Sequence, residues 1–425
     1  MLRSPTEFPK RSAGKSFGQR RYFFYSHDAQ GLGHTQRNLA IAAAVLEMDP
    51  KAAVLVVTGA NQVHWLGVRR NIGVLKLPGV QKIANQCYEG RGLRVPTSDM
   101  FALRSSLLKG GVEAFCPDVF LADKHPLGAH HELEAALEML HANGGKAVLG
   151  LRDVLDDPET VEREWEQDRF KEKTAEHYER ILIYGDRKLF DPVREYEFPK
   201  ELAERSHFCG YVVNRVAPDV RGYVSQQKRL KEAAQRWPLV VGSAGGGQDG
   251  FPVLETFMRS SASEPWQAIA VSGPLAKRKD TQTLRQLAAN VGVGMFSFIA
   301  GLADLVSTAG AHVCMGGYNT LVESVSCGTP TVCIPRIIPR TEQLIRAQSM
   351  ARLGLLHLIE PAQLDPEVMR AEIKRALLDS RAELTARASA LSFEGAREAA
   401  RHLVALAGGR ISQSGAAKNL AGRVK

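Results

Sequence analysis

The chain has no apolar run long enough to cross a membrane. A spanning helix needs about 20 mostly apolar residues, and the longest runs here are short and strand-like. It also lacks paired cysteines. The six are Cys87, Cys116, Cys209, Cys314, Cys327 and Cys333, with no C-x-x-C pair among them. They read as reduced thiols of a cytosolic protein, which argues against a disulfide framework or a thiolate metal site. The histidines show no H-E-x-x-H spacing, so no metal is expected. No basic motif interleaved with aromatics points to nucleic acid. The basic opening, residues 1–20, has no apolar h-region and reads as a disordered lead-in rather than a signal peptide.

What is present suits a two-domain globular protein. The 425 residues are 44% hydrophobic and 24% charged, too long for one ordinary domain and right for two of about 200 each. The net charge of +9 is uneven. Residues 1–110 hold 16 Lys and Arg against 6 Asp and Glu, whereas residues 111–214 hold 13 against 23. A basic front of this kind suits an anionic or lipid-linked acceptor and a peripheral membrane contact.

Strand-like runs alternate with helical stretches. In the first half the runs are 22–27, 52–59, 117–123, 146–153, 180–186 and 206–213, with helices over 36–48 and 131–143. The scheme restarts at 238–250, 266–273, 295–300 and 311–315. Apolar strands alternating with helices predict α/β domains built on doubly wound parallel sheets. The domains are placed at 21–213 and 237–407. A polar linker, 214–236, carries a helix over VSQQKRLKEAAQR, and 408–425 is a disordered tail. The last helix is placed at about 394–407. The acidic run EREWEQDR (162–169) reads as a solvated helix face, and Asp157-Pro158 as turn chemistry.

The densest chemistry lies between Met315 and Gln348. A strand runs into Gly316-Gly317, and Tyr318-Asn319-Thr320 then opens a helix. Paired glycines let backbone N–H groups approach a ligand, and the helix points its positive end there, so a diphosphate can be held without a metal. Glu323, one turn on, suits a pair of hydroxyls. A strand and a loop carrying Glu342 and Gln343 follow. In the first half, Gly31 and Gly33 make a tight turn after the first strand, with His34 at the start of the helix and Asp28 in the same turn, a catalytic candidate beside His34 and Asp123 or a plain cap of the turn. No third glycine completes a dinucleotide fingerprint. A histidine there titrates near neutrality and can take a hydroxyl proton. Asp123 and Asp153 end strands and are candidates to orient His34 or to meet the acceptor. Arg152 beside Asp153 could meet an anionic one.

This pattern resembles the donor-binding half of GT-B glycosyltransferases, most of all the peptidoglycan N-acetylglucosaminyltransferase (MurG-type) family. The family motif small-Gly-x-x-T-x-x-E, then G-x-P, then a polar pair is matched by Gly316, Gly317, Thr320, Glu323, Gly328, Pro330, Glu342 and Gln343. The resemblance implies two Rossmann-like domains facing a cleft. The glycine turn with Asn319 and Thr320 would hold the diphosphate, Glu323 the ribose, and the polar pair the sugar. Arg346 stands where the family often has Asn and is placed on the donor side. Ser243, Gly245, Gly246 and Gly247 match the family's glycine loop, and Gly31, Gly33 and His34 its acceptor-side loop. The E-x7-E signature of retaining enzymes is missing, which favours inversion. The expected activity is transfer of a sugar from a nucleotide donor, UDP by resemblance, to an acceptor hydroxyl, with no cofactor and no nucleic-acid partner. A 2-epimerase of the same fold and a non-catalytic nucleotide-sugar-binding scaffold are the alternatives.

Overall fold

The computed structural model describes residues 19–26, 32–60, 68, 71–84, 87–215, 228 and 237–408. Asp28, Gly31 and nearly all of the helix expected in the linker lie outside the described residues.

Two parallel sheets form the frame. In the first half the strands are β1 (Arg21–Ser26), β2 (Ala53–Thr58), β3 (Ile72–Lys76), β6 (Val119–Asp123), β7 (Lys146–Arg152), β8 (Arg180–Tyr184) and β9 (Ser206–Phe208). They lie in the order β3-β2-β1-β6-β7-β8-β9. Between them β4 (Gly79–Ala84) and β5 (Cys87–Arg91) pair separately as an antiparallel hairpin. The second sheet holds β10 (Leu239–Ser243), β11 (Gln267–Val271), β12 (Gly294–Phe296), β13 (Ala311–Cys314), β14 (Thr331–Cys333) and β15 (His357–Leu358), in the order β12-β11-β10-β13-β14-β15. The apolar strands are buried on both faces, as helices on both sides of a parallel sheet require. In β1, Tyr22 and Phe24 face one core while Phe23 and Tyr25 face the other, the period of two that the pleat imposes.

Each sheet reverses its winding once, between β1 and β6 and between β10 and β13. Ligands of open α/β sheets bind at the carboxyl ends of strands at such switch points. Gly33 and His34 open the helix that follows β1, and Gly316-Gly317 follows β13, so both sit where the topology opens a crevice.

The halves are not separate cores. One apolar cluster joins Ile41 and Val45 of the first helix, Gly33–Met48, to Leu321 and Val322 of the helix Tyr318–Ser326 and to Leu403 and Val404 of the last helix, Gly395–Leu406. The last helix lies against the first half, where Gly395 N–H donates to the Tyr211 carbonyl and Val212 bridges to Glu394. Among the described residues no helix is long and apolar enough to cross a membrane.

Two local readings are corrected. Asp157-Pro158 is a helix start, not a plain turn: the Asp157 side chain accepts from Thr160 N–H at 2.9 Å and Pro158 takes the first helical position. The acidic run is solvated at Arg163, Glu166, Gln167 and Arg169, but not throughout. Trp165 is buried and stacks on Phe170, and Glu164 accepts both Nη2 contacts of Arg340 at 2.7 and 2.8 Å.

Arg340 and Arg346 tie the second half to the first. Arg340 also reaches Asp156, whose other oxygen accepts from Thr341 N–H at 2.7 Å. Arg346 is fully buried and meets Asp153, itself fully buried, at 2.8 Å, with a further bond to the Val154 carbonyl. Removing one partner of such a pair leaves an uncompensated charge in the core. Arg346→Met is therefore expected to cost about 3–5 kcal/mol in urea unfolding. Arg346→Met combined with Asp153→Asn should cost clearly less than the sum of the two single variants. Additive losses would show that the pair does not act as a unit.

Candidate active site

A cavity of about 350 Å³ opens between the carboxyl ends of the two sheets, with Gly33, His34, Gln36, Arg37 and Arg152 on one wall and Gly245, Gly246, Gly317, Asn319, Thr320 and Glu323 on the other. A smaller recess of about 130 Å³ shares Gly245, Gly246, Gly317 and Thr320 and adds Gly247, Asp249, Arg336 and Gln343.

On the first wall His34 Nδ1 lies 2.7 Å from Asp123 Oδ2. Asp123 ends β6, the strand beside β1, so the switch point itself brings the pair together. Burial alone would raise the Asp123 carboxyl, but the Arg37 guanidinium and His34 outweigh it and hold the carboxyl down to about 2. An ionised carboxylate only accepts, which assigns the Nδ1 proton to His34. Arg37 Nη2 reaches both Asp123 oxygens, at 2.9 and 2.7 Å, and passes 3.0 Å from Nδ1. Two donors cannot bond to each other, so toward the imidazole Arg37 acts as a neighbouring charge. Asp153, the other candidate partner of His34, is engaged elsewhere by Arg346 and by the Tyr211 hydroxyl at 3.0 Å.

On the second wall Gly316 has φ of +81°, the left-handed region that glycine enters freely. It turns the chain so that Gly317 borders the cleft, where an added Cβ would meet nothing within 4 Å. The helix Tyr318–Ser326 starts there with no side-chain cap, and its first N–H groups face the opening. Glu323 is half-buried in the same wall. Desolvation, then the nearby Asp304, pushes its carboxyl up to about 8. Its Oε1 accepts from Gln36 Nε2 at 3.2 Å, and Asn319 Nδ2 donates to Gln36 Oε1 and to the Gly33 carbonyl, each at 3.2 Å. A polar relay thus runs from the ribose candidate across to the first helix.

Four readings from the sequence are redirected. Ser243 is buried and its Oγ bonds His312 Nε2 at 2.9 Å, while Nδ1 of that ring bonds Ser324 Oγ at 2.7 Å. Ser243 therefore fastens the glycine loop to the helix Tyr318–Ser326 rather than meeting a ligand. Burial holds His312 neutral, with its pKa lowered to about 3. Of the polar pair only Gln343 borders a cavity; Glu342 is buried against Arg336. Arg346 is a strut between the halves and not a donor contact, because Asp153 takes its charge, and Asp153 for the same reason does not face the acceptor.

Two residues here are not singled out by the sequence pattern. Arg37 follows His34 by three and so shares its helix face, a spacing that was there to be read. Tyr318 was passed over as a turn residue. Its ring lies between Arg37 and Arg346, each 5.4 Å from the centroid, and its hydroxyl accepts from Val212 N–H.

Residues 244–403 match the glycosyltransferase family 28 C-terminal domain. No curated protein matches the chain. Solved structures align over nearly all of it. MurG of Acinetobacter baumannii is 13% identical, covering 92% of this chain and 99% of that one at a TM-score of 0.55. UGT89C1 of Arabidopsis thaliana, complexed with UDP, is 13% identical, covering 92% and 100% at 0.62. The glycosyltransferase VinC, in complex with dTDP, is 17% identical, covering 91% and 99% at 0.60. At such identities the likeness is one of fold. The chain shares the GT-B fold of these structures, and the stretch that resembles the family 28 C-terminal domain lies in its second half.

Proposed function

We propose that this protein is an inverting glycosyltransferase that moves a sugar from a UDP-linked donor to an acceptor hydroxyl, and that it is related to the MurG type. One observation carries the reading. A carboxylate-oriented histidine at one switch point faces, across a single cavity, a glycine turn and open helix N-terminus at the other. The family 28 match over 244–403 and the UDP and dTDP complexes among solved relatives of the fold support the donor class.

In this reading the diphosphate rests on the N–H groups at 317–320 and the ribose hydroxyls donate to Glu323, where Gln36 now donates. The sugar extends toward Gln343 and the recess beside Gly245 to Gly247. His34 Nε2 takes the acceptor proton as the acceptor oxygen bonds to the anomeric carbon. The bond from that carbon to the diphosphate oxygen breaks, and the diphosphate leaves with the electron pair. Direct displacement from the opposite face inverts the anomeric centre. Asp123, held ionised, stabilises the imidazolium that forms. Helix-end and backbone donors act on the developing negative charge, the role a divalent cation plays elsewhere, so turnover is expected to persist in chelator.

Calorimetry and thermal shift with UDP-, GDP-, dTDP- and ADP-sugars test the donor site. One nucleotide class should bind, and Glu323→Ala should lose it; no binding by any would overturn the reading. His34→Ala should keep nucleotide affinity and lose about 10²–10⁴-fold in transfer rate, since one general base is removed. Loss of nucleotide binding in that variant would instead make His34 a donor residue. The Glu323 carboxyl also sets a pH dependence. Raised to about 8, it is mostly protonated at pH 7 in the empty protein. Ribose hydroxyls donate to, and so favour, the ionised form; binding should release a proton, and UDP affinity should climb from pH 7 to 8 and level off above. In Glu323→Gln this climb should vanish, and a climb that survives would remove Glu323 from the ribose site.

A further inference from the structure

Arg152 ends β7, the strand next to β6, and Asp123 stands in register with Gly150 two residues before it. Neighbouring strands lie about 4.8 Å apart, so Arg152 rises beside the carboxylate that orients His34 and lines the same cavity. Its Nε is buried with no hydrogen-bond partner, and no ion pair holds the guanidinium among the described residues.

The surrounding charges make that unusual. Arg37 is matched by Asp123, Arg346 by Asp153, and Glu342 by Arg336. Arg152 is the guanidinium left over. Its titration follows the same division: Arg37 and Arg346 are raised by their carboxylates, whereas burial, then the proximity of Arg346, pulls Arg152 down to about 10. At neutral pH it keeps its charge. Arg152 is half-buried, with Glu342 and Asp153 near enough to act on its charge but not bonded to it, and its buried Nε has no partner. A buried donor left unpaired is costly, and the planar fork fits the oxygens of a phosphate or carboxylate.

We propose that Arg152 receives an oxyanion, a phosphate or carboxylate, that the acceptor carries near its reacting hydroxyl. This rests on the transferase reading and narrows its acceptor to an acidic one. The placement on the wall of His34, away from the N–H groups of the opposite wall, favours the acceptor as the source. The donor's departing diphosphate is the other source of the same chemistry.

The test uses the full chain, with and without saturating UDP, and three probes: glucose 1-phosphate, glucuronate and neutral methyl glucoside. At least one anion should raise the Tm of the wild type while methyl glucoside does not. Arg152→Gln should abolish that shift and Arg152→Lys should keep part of it, with UDP affinity within twofold of wild type in both. The unliganded Arg152→Gln variant should melt at or above the wild-type temperature, because no partner is lost. An anion-independent response, no response, or a shift that survives in Arg152→Gln overturns the proposal. So does a drop of tenfold or more in UDP affinity, which would assign Arg152 to the leaving diphosphate. A markedly lower Tm without ligand would make it structural and overturn it too. If UDP fails to bind, the transferase reading falls by itself, and the arm without UDP still decides whether Arg152 holds an anion.

Discussion

The buried pair of Asp153 and Arg346 governs the geometry of the cleft. Each member comes from a different half, and neither reaches water. Ionised groups in such a setting tolerate little displacement, because attraction repays the desolvation of both only at bonding distance. Tyr211 and the Val154 carbonyl complete the coordination. His34 and Glu323 are then held to either side of a fixed point.

The cleft arranges its charges with the same economy. Arg37 holds Asp123 ionised, which a bare buried carboxylate would resist. His312 does without charge altogether and ties two serines by hydrogen bonds. The opposite wall leaves Glu323 weakly ionised, ready to gain from hydroxyl donors. The walls therefore differ in kind: ionised and oriented around His34, neutral and adaptable around Glu323.

Much of this was legible in the sequence. Apolar strands such as VFLAD and RILIY declare themselves because both faces are buried. The run from Gly316 to Glu323 does so because glycine pair, polar turn and carboxylate have one compact use. The edge strand Ile72–Lys76 did not, since most of it is exposed and its pattern is weak. The helix Thr97–Phe115 was hidden by Gly110-Gly111 in its last third, which lower its propensity. The misread residues share one cause. Arg346 and Asp153 are 193 positions apart, and local spacing says nothing of which carboxylate an arginine will meet. Ser243 likewise sat in a convincing loop but turned inward to a histidine from the neighbouring strand.

The last helix, packed on the first, bears on how the chain is made. Leu403 and Val404 complete the apolar cluster that includes Ile41 and Val45. During synthesis the first sheet emerges early, yet this part of its cover leaves the ribosome only after the whole second sheet. The first half must wait with an open apolar flank, and the helix Gly395–Leu406 seals a surface laid down some 350 residues before. Separating the halves at the linker would consequently not yield two closed domains, because one would go without its lid and the other would carry it uselessly.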